Sequence, residues 1–107
     1  MEDCLNWNIC KNQGIHRTST TRGRPYPCCF FCGQFYLHNR FKMMPVVQMT
    51  QKQVNTYRIK LMTMYYDSET DEMKNNCVDS MKNLTRERIN YLMSINHERG
   101  LSLLVGV

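Results

Sequence analysis

Residues 28–33 read Cys28-Cys29-Phe30-Phe31-Cys32-Gly33, and the fold turns on whether these cysteines are ligands or packed hydrophobes. Cys29 and Cys32 stand three apart, a spacing that lets two thiolates reach one metal ion from a single turn. Gly33 behind them suits the positive φ that commonly follows such a turn, which leaves backbone N–H groups free to hydrogen-bond the sulfurs. One such pair supplies two of the four ligands a structural zinc requires. Moving outward, Cys4, Cys10 and Cys28 join them within the first 32 residues, beside His16 and His38. The first-choice ligand set for Zn2+ is Cys4, Cys10, Cys29 and Cys32. A second set exchanges Cys4 for His16, and a third recruits His38 or Cys28. Cys77 stands far along the chain, at helical spacing with Met73 and Met81, and reads as a core residue.

Six cysteines would also suit a secreted disulfide scaffold. Against that, the opening MEDCLNWNIC carries two acids and lacks the basic start and apolar run of a secretory signal. Adjacent Cys28 and Cys29 cannot bridge each other without strain. The expectation is an intracellular, reducing compartment, nucleus or cytoplasm. The longest strongly apolar stretch, Leu101 to Val107, is far short of the roughly 20 residues a bilayer needs, so no membrane partner is expected.

Charge divides the chain. Residues 1–66 hold nine bases against two acids, a net +7, and after Asp3 no carboxylate occurs before Asp67. Residues 67–107 hold five bases against seven acids, a net −2. A basic surface with no acids nearby attracts polyanions, and phosphate binding releases condensed counterions. RNA or single-stranded nucleic acid is therefore the expected partner. Arg17, Arg22 and Arg24, between the two cysteine pairs, are the candidate phosphate contacts, with Arg40 and Lys42 beyond the second pair. Phe30, Phe31, Phe35, Tyr36 and Phe41 alternate with these later bases. Most such aromatics pack around a metal site, and one or two left outside could stack on bases.

The predicted organisation is a single domain, 1–107, of α+β class: a small zinc-stapled N-terminal module with a short β-hairpin, then a helical C-terminal segment. Residues 1–44 form the basic Cys/His region, 45–66 are expected as strands, and 67–107 as helices and an apolar tail. Residues 54–66, VNTYRIKLMTMYY, fit two templates. As a strand, Tyr57, Ile59, Leu61 and Tyr65 share a face; as a helix, Val54, Tyr57, Leu61, Met64 and Tyr65 form a stripe, with Thr50 and Gln53 as a capping box. The β-branched and aromatic content favours the strand, paired with Pro45 to Thr50. Beyond Asp67, acids open a helix with Met73, Cys77, Met81 and Leu84 on one side. A second helix is expected to start on Thr85 as N-cap, bury Ile89, Leu92 and Ile95, and stop at Gly100.

The Cys29–Gly33 segment resembles the zinc knuckle of zinc ribbons and treble-clef fingers. A standard C2H2 finger is excluded, because five residues rather than about twelve separate Cys32 from His38 and no second histidine follows at the required distance. A phosphate-cradling Gly-rich motif, an H-E-x-x-H pattern and a convincing carboxylate pair are all missing, so no enzyme is expected. The layout resembles the small cysteine-rich regulators of several RNA virus families, which implies a viral regulator of host silencing or transcription. The alternative is a zinc-stabilised protein–protein adaptor, in which a Met-rich helical face or the apolar tail binds a host protein, the tail also offering an edge strand or a homodimer surface.

Overall fold

The structure, a computed structural model, describes residues 4–11, 15–19 and 25–98. Strands β1 (Ile15–Ser19) and β2 (Pro25–Cys29) pair antiparallel, with Ile15 opposite Cys29 and Ser19 opposite Pro25. Pro25 and Pro27 have no N–H to give to a ladder, and a two-stranded ribbon tolerates this because both its strands are edges. Pro27 still accepts: the Leu5 N–H donates to its carbonyl at 2.6 Å, tying the first loop to the ribbon.

Helix α1 (Phe30–Asn39) follows β2 directly, with Cys29 as its N-cap in extended geometry (φ −70°, ψ 167°). It ends on Arg40, whose φ of 54° is the one positive value among the described non-glycine residues. Gly33 corrects the sequence expectation. It lies inside α1 rather than after a turn, because the helix begins within the Cys29–Cys32 spacing itself.

The strands expected over 45–66 are replaced by a 3₁₀ turn (Val46–Gln48) and helix α2 (Gln51–Asp67). The capping box decides the start: the Gln53 N–H donates to Thr50 Oγ1 at 3.3 Å while the Thr50 N–H donates to Gln53 Oε1 at 3.0 Å. Burial decides the rest, because Val54, Tyr57 and Leu61 reach the core together only at helical spacing. That packing outweighs the strand propensity of Tyr57, Ile59 and Tyr65.

Helix α3 runs unbroken over Asp71–Glu98, 28 residues. Thr70 starts it by accepting the Met73 N–H on Oγ1 at 3.2 Å, and Asp71 and Glu72 sit in its first turn, where the helix dipole favours acids. No second helix begins at Thr85, whose hydroxyl donates to the Met81 carbonyl one turn back. The expected apolar faces are corrected too. Cys77, Ser80, Leu84 and Arg88 form the buried stripe, whereas Met73, Ile89 and Leu92 are exposed. The expected stop at Gly100 and the tail lie outside the described residues.

Arg88 explains how the two long helices are held. Its Nη1 donates to the carbonyls of Val47 at 2.5 Å and Met49 at 2.7 Å, groups that the tight turn before α2 leaves unpaired. Because Arg88 meets the start of α2 while the link 68–70 joins its end to α3, the two helices pack antiparallel. One contiguous core draws on the first loop, β2, the 3₁₀ turn and all three helices. Tyr57 is at its centre, edge-on to Phe35 (4.9 Å) and Phe31 (5.1 Å). The described chain is thus mostly helical, with one short ribbon near its start.

Candidate metal centre

Four of the cysteines converge. The sulfurs of Cys4, Cys10, Cys29 and Cys32 lie within 4.8 Å of one another, and all four residues are buried. Each arrives by a local rule. In the first loop, the Trp7 N–H donates to the Cys4 carbonyl and the Ile9 and Cys10 N–H groups to the Asn6 carbonyl, so two overlapping turns fold the five intervening residues back and bring Cys4 beside Cys10. On the other side, Cys29 is the N-cap and Cys32 the third residue of α1, positions that share one side of the first helical turn. Cys29 Sγ accepts the Cys32 N–H at 3.3 Å, serving as cap and candidate ligand at once.

Further donors surround the sulfurs. The Asn6 N–H reaches Cys4 Sγ and its Nδ2 reaches Cys32 Sγ, each at 3.4 Å. The Tyr57 hydroxyl lies 3.2 Å from Cys10 Sγ and 3.1 Å from Cys32 Sγ. Asn6 also anchors the loop to its surroundings, donating from Nδ2 to Tyr36 Oη at 3.0 Å and accepting the Val46 N–H on Oδ1 at 2.8 Å. Tyr36 in turn donates to the Met44 carbonyl. From α3, Asn83 Nδ2 donates to the Ile9 carbonyl at 3.2 Å, so the helix pair buttresses the loop.

The chemistry of this set is that of a soft cation site. Tetrahedral zinc–sulfur bonds of about 2.3 Å place ligand sulfurs about 3.8 Å apart, a separation this tetrad brackets. The 3.4 Å between Cys10 and Cys32 is far outside the roughly 2.05 Å of a disulfide, and all six cysteines are free thiols. Hydrogen bonding, led by Cys10, holds Cys4 and Cys29 below the ordinary thiol range, while Cys10 is pushed up, first by its bond with Cys29. Burial pushes Cys32 up, and it also keeps the Tyr57 and Tyr36 hydroxyls protonated and able to donate.

The alternates fall elsewhere. Cys28 is buried beside the tetrad, with its Sγ donating to Met43 Sδ at 3.8 Å. His38 is exposed on α1. The backbone of His16 pairs opposite Cys28, and its side chain is outside the described residues. Among the candidate nucleic-acid contacts, Arg40 and Lys42 are exposed just after α1, while Phe30, 61 % exposed, stands at the other end of that helix. Arg17 lies on β1 opposite Pro27, and Arg22 and Arg24 are outside the described residues. Phe35 and Tyr36 are buried, and Phe31 and Phe41 pack against the core.

Sequence reasoning missed Asn6 and Tyr57. Both templates turned Tyr57 inward with Leu61, but only the helix template put Val54 beside them, and neither pointed its hydroxyl to the sulfurs. Asn6 carries a weaker signal, its place two residues after a ligand, where a backbone N–H can reach the sulfur. No protein-family model matches the chain, and no curated protein or solved structure matches it.

Proposed function

We propose that this protein is a zinc-stapled basic module that binds RNA or single-stranded nucleic acid mainly through phosphate. The buried Cys4, Cys10, Cys29 and Cys32 tetrad carries the reading. Four thiolates around Zn2+ leave a net −2, which the Asn6, Cys32 and Tyr57 donors spread over surrounding hydrogen bonds. The role is structural, since four protein ligands leave no open position for a substrate. The ion ties Cys10 to Cys29, and the chain between them carries Lys11, Arg17, Arg22 and Arg24 without an acid.

Phosphate binding follows from that surplus of charge, and Arg40 and Lys42 extend it past α1. A viral regulator of host silencing or transcription is one setting in which such a module acts. No helix among the described residues is long and apolar enough to cross a membrane.

The test is titration of the zinc-loaded full chain with a fluorescent single-stranded RNA across salt. Affinity falls linearly on log axes, with a slope near 0.7 per phosphate contact. Replacing Arg17, Arg22, Arg24, Arg40 and Lys42 by Gln weakens binding at least tenfold and flattens the slope while zinc content stays the same. Binding that ignores salt, or that survives all five replacements, overturns the proposal and leaves the adaptor reading.

A further inference from the structure

Away from the cysteines, α2 and α3 leave a groove of about 640 Å3 lined by Arg58, Met81, Lys82, Thr85, Arg86, Ile89 and Asn90. The α3 members recur every three to four residues, so they occupy one face over about 14 Å of helix. Met81 packs partly against the core, and Ile89 is 51 % exposed, so the two place apolar surface on one side of α3. Three cations border this apolar strip. The Arg58 guanidinium donates to Asn55 Oδ1 at 3.3 Å and Arg86 to Asn83 Oδ1 at 3.1 Å. Both partners are neutral amides, so these hydrogen bonds orient each guanidinium without cancelling its charge. Among the described residues, no acid lines the groove.

We infer that this groove docks an acidic amphipathic helix of a partner protein, with its apolar residues over Met81 and Ile89 and its flanking carboxylates on Arg58, Lys82 and Arg86. Charge complementarity selects this occupant. A nucleic-acid backbone would satisfy the cations but leave the Met81–Ile89 strip without a counterpart. An apolar helix without acids would cover the strip but strand three cations at its edge. A carboxylate-flanked apolar helix meets both, and two turns of such a helix match the length of the strip. Apart from Arg58, the lining belongs to α3, and no tetrad cysteine lines the groove, so it gives the protein a second partner, distinct from the nucleic acid.

The test uses the full zinc-loaded chain and a synthetic helical peptide with Leu at positions i, i+3, i+4 and i+7 flanked by Glu. A second peptide replaces every Glu by Lys. Fluorescence anisotropy is expected to show binding of the acidic peptide alone. Ile89→Asp lowers its affinity at least tenfold, and the R58E/R86E double variant shifts preference toward the Lys peptide. Both changes are at surface positions, and circular dichroism checks that each variant keeps its helix content. The proposal is overturned if the two peptides bind alike, if the acidic peptide fails to bind, or if Ile89→Asp leaves its affinity unchanged. It is also overturned if the same variants abolish RNA binding, which would assign the groove to nucleic acid, or convert a dimer to a monomer, which would assign it to a second copy.

Discussion

Cys29 illustrates how much one side chain can do in a chain of 107 residues. It closes β2, caps α1 and offers a sulfur to the tetrad, and its spacing to Cys32 makes that last role legible in the sequence alone. The donors around the sulfurs are not legible in the same way, because a hydrogen bond across the fold leaves no local pattern. Tyr57 is the sharpest case. Its ring packs against Phe31 and Phe35, and its hydroxyl reaches two sulfurs. Tyr57→Phe keeps the ring and removes the donor, so zinc affinity measured by chelator competition is expected to fall about tenfold or more with little change in helix content. An unchanged affinity would reduce Tyr57 to a packing residue. Asn6→Ala removes a donor to Cys32 Sγ and should also act on stability. It leaves the buried Val46 N–H without its acceptor, and the expected loss is about 1–3 kcal/mol in urea unfolding of the zinc-loaded protein.

At the scale of elements, the balance between local preference and packing decided what could be anticipated. The acids and spacing of residues 67–84 point to a helix, and α3 runs there from Asp71 onward. Residues 54–66 carry enough Val, Ile and Tyr to favour a strand, yet the core accepts Val54, Tyr57 and Leu61 from one helical face. The sequence held the deciding clue in Thr50 and Gln53, whose reciprocal hydrogen bonds fix the helix start. Thr85 gave the opposite lesson. A threonine before an apolar run reads as a cap, but Leu84 and Arg88 on either side are buried in the same stripe, so α3 continues through it. The two threonines therefore respond differently to the same change. Thr50→Ala is expected to cost about 1 kcal/mol through the lost cap, whereas Thr85→Ala, exposed in mid-helix, is expected to be neutral or slightly stabilising. Thermal or urea unfolding of both variants checks this. A cost at Thr85 equal to that at Thr50 would restore the break between two helices.

Across the whole molecule, the basic surplus and the cysteine tetrad lie in residues 1–66 and α3 lies beyond them, and the core joins the two. Asn83 reaches the first loop, Arg88 reaches the turn before α2, and Tyr57 carries α2 to the sulfurs. Composition made the division of charge plain from the start. The joining was invisible in it, because it depends on contacts between residues 25 to 74 positions apart. Through this coupling, a metal ion held by the tetrad would steady more than the loop around it. Without a cation, four sulfurs crowded into a dry site must share protons, so removing the metal loosens the centre of the core.

The most direct measurement is the metal content of the full chain purified without added metal, by elemental analysis and native mass spectrometry, with circular dichroism before and after chelation. About one zinc per chain is expected, with loss of structure on chelation and recovery on adding zinc back. Single Cys→Ser changes at residues 4, 10, 29 and 32 should each abolish tight binding, while Cys77→Ser should not. A metal-free protein that keeps its full helix content, with the four thiols reduced, would contradict the account and leave the tetrad as ordinary packing.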